Sequence, residues 1–260
     1  RSLIAAAALY IFYKVTSLKK EKHFFPQDKA LKKQYITAGA VCGAMLAISV
    51  NFQQFGISAY PAGAAAEARS GFITALYVVF VPLLSFFFGK KVSPVIWASV
   101  AVAVVGFYML CLSGGISGIY TADILVFICA FCFAGQIISV DKFVGLTGGV
   151  KLSVMQFTVA GALSAVFAVI FERPTMENII AAAPQILYLG IVSSGVGYTL
   201  QIVGQKYAEP SVASLSMSLE SVFAALGGWL ISGNTLTGRE FIGCALVFAA
   251  IIVAQIPEMI

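Results

Sequence analysis

Few side chains in this sequence can do chemistry, and those that can sit inside apolar runs, where a polar atom is costly. Glu220 lies within the run 210–231, with Ser216 and Ala224 one helical turn to either side. A carboxylate in such a run needs a cavity, a cation or a hydrogen-bond partner. Its small neighbours leave room for a proton donor or an ammonium group, which makes Glu220 the leading candidate for recognition or coupling. Ser194, Tyr198, Gln201 and Gln205 recur at helical spacing and form one polar stripe. Such a stripe serves either interhelical hydrogen bonding or the lining of an aqueous path. Ser49 and Gln53 make a shorter counterpart, and Ala213, Ser216, Glu220, Ala224 and Gly227 form a small or polar stripe. Glu67 and Arg69 open the run 62–88, as a local salt bridge or with Arg69 placed to attract a carboxylate.

Catalytic signatures are missing. The sequence contains no H-E-x-x-H, no G-x-S-x-G and no Walker-type loop. Its one histidine, His23, lies in a lysine-rich segment far from any serine or cysteine that it could activate. Cys129 and Cys132 form a C-x-x-C with neither a second pair nor a nearby histidine, so packing is the expected role. No enzyme activity, metal site or cofactor is expected.

The elements that must position these residues are spanning helices. Of the 260 residues, 60% are hydrophobic and 10% are charged, against about 45–50% apolar and about 25% charged in soluble domains. A mean hydropathy of +0.96 excludes a water-soluble globule. Nine apolar runs are long enough to be read as spans: about 2–17, 35–55, 62–88, 92–112, 121–140, 152–171, 184–205, 210–231 and 241–257. They are continuous rather than alternating, which argues against barrel strands. Gly39 and Gly43, continued by Ala47, allow close helix approach, and Pro82 should kink its span.

The net charge of +5 and pI near 8.9 do not indicate nucleic acid, because the lysines occupy short segments between runs. Threading the nine runs puts Lys14, Lys19, Lys20, Lys22, Lys29, Lys32, Lys33, Lys90, Lys91, Lys142, Lys151 and Lys206 on one side. Arg1, Arg173 and Arg239 fall on the other. That bias predicts a multi-pass protein of the plasma or inner membrane with a cytoplasmic C-terminus. Anionic lipid is a second role open to the basic segment.

The chain also carries a faint copy of itself. FQQFG at 52–56 resembles LQIVGQ at 200–205, and LYVVF at 76–80 resembles LESVF at 219–223, so that Tyr77 pairs with Glu220. Matched runs lie an odd number of spans apart, which makes the copies opposite in orientation, as in secondary transporters. The expected fold is all-α and polytopic, with two inverted five-helix repeats at 1–115 and 116–260. The first run is short and abrupt, so the first helix of ten is expected to be missing, leaving nine spans.

At this point the sequence resembles a known family. GYTLQIVGQKYAEPSVASLSMSLESVFAALGGWL and ARSGFITALYVVFVPLLSFFFGKK are similar to the second- and first-repeat signatures of EamA-type transporters in the drug/metabolite transporter superfamily. Ser221 stands where that family usually has Pro, and Asn234 where it usually has an acid. The resemblance implies ten helices around a central cavity and export or exchange of small metabolites, such as amino acids, without ATP hydrolysis. A bacterial exporter of small polar metabolites working by alternating access is therefore expected, with Glu220, Tyr77, Gln53, Ser194, Tyr198, Gln201, Gln205, Ser216 and Arg69 as substrate or coupling candidates. Alternatives are an exchanger or importer of phosphorylated or nucleotide-sugar solutes, and a membrane anchor or sensor. Expected partners are a small-molecule substrate and the lipid bilayer, with a homodimer left open and no nucleic acid.

Overall fold

The computed structural model describes residues 1–17, 23–62, 66–112, 119–171, 176–232 and 237–259. These residues form α-helices and one π-helical stretch, with no strand among them. In chain order the helices are α1 (Ser2–Ser17), α2 (Lys29–Ser58), α3 (Ala66–Ala75), α4 (Tyr77–Phe87), α5 (Pro94–Cys111), α6 (Thr121–Thr147) and α7 (Gly149–Phe171). Then come α8 (Met176–Ala181), α9 (Ala183–Tyr188), the π-helical Leu189–Tyr198, α10 (Thr199–Gln205), α11 (Pro210–Met217), α12 (Leu219–Ser232) and α13 (Gly238–Met259).

Seven stretches among the described residues are long and apolar enough to cross a membrane. The expected run 2–17 is a shorter apolar helix, and the run 210–231 is divided into α11 and α12. Helices also outrun the apolar windows. The expected connection 141–151 is nearly all helical, because α6 continues through Asp141 and Lys142 to Thr147. Charged residues end a hydrophobic run without ending backbone hydrogen bonding. The turn itself falls on Gly148, whose φ of 77° suits glycine and whose N–H caps the Val144 carbonyl at 2.9 Å.

The chain divides into two compact units, each drawn from both halves of the sequence. The first comprises residues 1–48 and 139–207. In it α1 packs on α7 and on the π-helical stretch, and α10 packs on α7. Helices approach closely at the glycines: a Cβ on Gly39 would lie 2.6 Å from Met155 Cβ, and one on Gly43 would lie 2.7 Å from the Gln156 carbonyl oxygen. The Gly39–Gly43 pair thus brings α2 against α7 through backbone proximity rather than side-chain bulk.

The second unit comprises residues 49–138 and 208–260. Its core joins α5 to α13 through Val100, Ala103, Phe107, Val247, Ala250 and Ala254. At the crossing, a Cβ on Gly106 would lie 2.9 Å from the Gly243 carbonyl oxygen, and one on Gly243 would lie 2.7 Å from that of Gly106. α5 begins with Ser93, whose hydroxyl accepts from the Val95 N–H at 3.3 Å, followed by Pro94 in the first turn. Within the same unit α4 packs against α11.

Candidate functional site

In two expected spans of the second unit the helical ladder tightens locally, and Tyr77, Ser216 and Glu220 lie beside these points. Between α3 and α4, the Leu76 N–H donates to Ile73 at 3.1 Å, one residue short of the α-helical partner. Pro82, inside α4, leaves the Val78 carbonyl without its helical donor and loosens the ladder around that turn. Between α11 and α12, serine hydroxyls compete for the backbone: Ser214 donates to the Ser211 carbonyl at 2.8 Å and Ser218 to that of Leu215 at 2.5 Å. The Ser218 N–H is shared between Ser214 and Leu215 at 3.2 and 3.1 Å. In the repeat alignment Leu76 pairs with Leu219, so the two tightened turns fall one residue apart.

Tyr77 is the first residue of α4 and is half-buried against the apolar cluster of Val81, Ala134 and Ile137. Glu220 is exposed in the first turn of α12. Ser216, one turn before, is half-buried. Gln53 is also half-buried, and its amide donates to the Thr74 hydroxyl at 3.3 Å, linking α2 to the end of α3.

Arg69 is engaged within the protein. It is 6% exposed, and its partner is Asp123 on α6 rather than Glu67. Arg69 Nη2 donates to Asp123 Oδ2 at 2.6 Å and Nε to Oδ1 at 3.2 Å, a two-point fork. The Tyr60 hydroxyl donates to Asp123 Oδ1 at 2.6 Å, and the Tyr120 N–H to Oδ2 at 2.8 Å. The guanidinium carbon lies 4.7 Å from the centre of the Tyr120 ring. Burial, then the hydrogen-bonded Asp123 carboxylate, raise the Tyr60 phenol above its ordinary value. Beside this cluster is an apolar cavity of about 280 Å³, bounded by Phe72, Leu76, Ile119 and Phe127 as well as the ion pair.

Sequence reasoning missed Asp123, Tyr60 and Tyr120. The available signal was local: an acid three residues into α6 accepts the N–H of the residue before the helix, as the third member of a capping box does. Its pairing with Arg69 spans 54 positions and leaves no periodic trace.

The polar stripe belongs to the first unit. Ser194 and Gln205 are buried and Tyr198 and Gln201 half-buried, while Val192, Val196, Leu200 and Val203 are exposed. The stripe is thus the inward side of its segment. Ser194 lies in the π-helical stretch, and the Tyr198 ring meets Phe157 of α7 edge-on at 5.8 Å. Gln156 of α7 is fully buried as well. π-Helical turns within α-helices occur often at functional positions.

Long apolar helices carrying a few buried polar side chains define a polytopic α-helical membrane protein. Residues 120–255 match the EamA-like transporter family. The chain belongs to that family. It is similar to an uncharacterized transporter of Archaeoglobus fulgidus, at 32% identity over 189 residues. That match takes in 72% of this chain, which spans 60% of the relative's length. The fold is also that of a protein known from its crystal structure, at 17% identity and a TM-score of 0.78, over 98% of this chain and 84% of that one.

Proposed function

We propose that this protein is a secondary-active transporter that exports small polar metabolites, such as amino acids, by alternating access between two inverted repeats, residues 1–115 and 116–260. The observation that carries the reading is that helical hydrogen bonding tightens to i−3 at Leu76 and at Ser218, nearly aligned positions in the two repeats. Transporters with inverted repeats handle solute where corresponding helices are discontinuous, because the broken backbone supplies polar groups at membrane depth. Tyr77 and Glu220 follow these turns, so a phenol and a carboxylate are the groups offered to a solute amine or a proton. Ser216 and Gln53 in the second unit, and Ser194, Tyr198, Gln201 and Gln205 in the first, are the neutral hydrogen-bonding candidates.

Family membership supports transport over an anchor or sensor. Phosphorylated cargo calls for free cations, whereas the charge of Arg69 is already matched by Asp123 at 2.6 Å. In this reading the protein lies in the plasma or inner membrane, and the lysine bias supports a cytoplasmic C-terminus. Counterflow in proteoliposomes tests the reading: vesicles preloaded with one unlabelled amino acid should accumulate the labelled form transiently. A panel of amino acids, sugar phosphates and nucleotide sugars in which only the anionic solutes exchange, or none does, would overturn it.

A further inference from the structure

The first unit contains a groove remote in kind from the polar stripe. It is formed by α1, α2, α7 and the two aromatic residues Phe24 and Phe25, and holds about 590 Å³, within the roughly 300–1,000 Å³ of small-molecule sites. Its three helices are built to one pattern. On α1, Lys14 is followed one turn away by Tyr10 and two turns away by Ala6 and Ala7. On α2 the order is Lys32, then Ile36, then Gly39 and Ala40. On α7 it is Lys151, then Val154 and Met155, then Thr158 and Val159. Each helix thus puts a cation at one end and two turns of groove wall beneath it. Eight residues at about 1.5 Å give a depth of roughly 12 Å. One leaflet of hydrocarbon is about 15 Å, half of the roughly 30 Å core.

The wall asks for an apolar occupant. Gly39 seals the floor, since a Cβ there would lie 2.6 Å from that of Met155. The Thr158 hydroxyl is turned back onto the Val154 carbonyl at 2.7 Å. The lysine end asks for an anion. Lys14 Nζ lies 5.8 Å from the Tyr10 ring centre and Lys32 Nζ 5.9 Å from that of Phe25, both groove residues. Lys151 Nζ lies 5.6 Å from the ring centre of Tyr13, which packs on Phe24 of the groove at 5.1 Å. A second copy is a poor occupant, because two copies inserted in the same sense would bring these lysine ends together at one depth.

We propose that this groove binds one anionic phospholipid, with an acyl chain between α1, α2 and α7 and the phosphate at the end marked by Lys14 and Lys32. The site is separate from the transport reading and stands whether or not any solute is moved. Lysines at such sites favour anionic headgroups, and loss of one should weaken binding about fivefold.

Native mass spectrometry of the whole chain, released from detergent with phosphatidylglycerol or phosphatidylcholine present, tests the assignment. One retained phosphatidylglycerol per chain, with little phosphatidylcholine, is the expected result. Lys14→Gln and Lys32→Gln should each lower retention about fivefold. Ala40→Trp, which fills the groove from an exposed position, should abolish it with far-ultraviolet circular dichroism unchanged. A phosphatidylglycerol bearing a photoreactive acyl chain covers the case in which that variant misfolds, and should label peptides containing 36–40 or 154–159. Equal retention of both lipids, labelling elsewhere, or a dimer that Ala40→Trp dissolves would each overturn the proposal.

Discussion

Breaking the Arg69–Asp123 pair should cost far more than an ordinary ion pair, and breaking both halves should cost less than the sum. The two residues are 6% and 9% exposed, with donor–acceptor distances of 2.6 and 3.2 Å. Removing one partner of a buried pair costs about 3–5 kcal/mol, because the other charge stays behind uncompensated. Arg69→Met leaves the Asp123 carboxylate with the Tyr60 hydroxyl and the Tyr120 N–H, at 2.6 and 2.8 Å, so the lower figure of about 3 kcal/mol applies. Asp123→Leu strips Arg69 of its carboxylate and those two donors of their acceptor, so about 5 kcal/mol applies. In Arg69→Met/Asp123→Leu no charge remains, and the cost falls to the unpaired hydroxyl and N–H, about 2 kcal/mol. The cycle should therefore show a coupling well above about 3 kcal/mol. Reversible unfolding in mixed dodecylmaltoside and dodecyl sulfate micelles, followed by circular dichroism, measures all four proteins. Additivity within about 0.5 kcal/mol would refute the reasoning and make the pair an exposed, screened contact.

Four further outcomes are expected. Glu220→Gln keeps shape and exposure, so it should insert and unfold like the parent yet lose counterflow or its pH dependence; an unchanged rate and pH profile leaves Glu220 without a role. Gly106→Val presses a side chain onto the Gly243 carbonyl, where a Cβ would lie 2.9 Å away, and should destabilise by about 1–3 kcal/mol in the same micelles. Burial and Asp123 raise the Tyr60 phenol, so its stabilising contribution is complete below the ordinary value of 10.0 and drains as pH rises above it. Tyr60→Phe should flatten the alkaline fall in thermal midpoint. In a background lacking the native cysteines, Gln27→Cys and Met176→Cys, both exposed, should react with impermeant maleimide from opposite sides of the membrane; labelling from the same side breaks the threading.

The fold was largely legible because the bilayer simplifies the code. An apolar run that crosses hydrocarbon must satisfy its own backbone, so run length reports helix position almost directly. What run length cannot report is where a helix stops. Nothing in hydropathy distinguishes a single span at 62–88 from α3 and α4, because Leu76 is as apolar as its neighbours. The tightened turn at Ser218 had a local sign in the spacing of Ser211, Ser214 and Ser218, hydroxyls placed to reach back to carbonyls. Likewise the polar stripe from Ser194 to Gln205 was read correctly as one face, since burial follows its periodicity. The π-helical winding of Leu189–Tyr198 left no such sign in residue types.

Charge was the harder part, and Arg69 explains why. Within an apolar run a lone arginine reads as a candidate for substrate, since its cost must be justified by something. The partner that justifies it is set by the meeting of α3 with the start of α6, not by neighbouring positions. Glu220 presents the opposite case. Depth counted along the run gives its carboxylate a need for a partner, and its side chain is exposed two residues after the tightened turn at Ser218. Two charged residues that look alike in sequence thus differ in what they can offer a ligand. Arg69 can release its charge only by giving up the two-point fork to Asp123, which keeps the Tyr60 hydroxyl and the Tyr120 N–H. The Glu220 side chain is exposed, so a proton or an amine can reach it without first dismantling an ion pair.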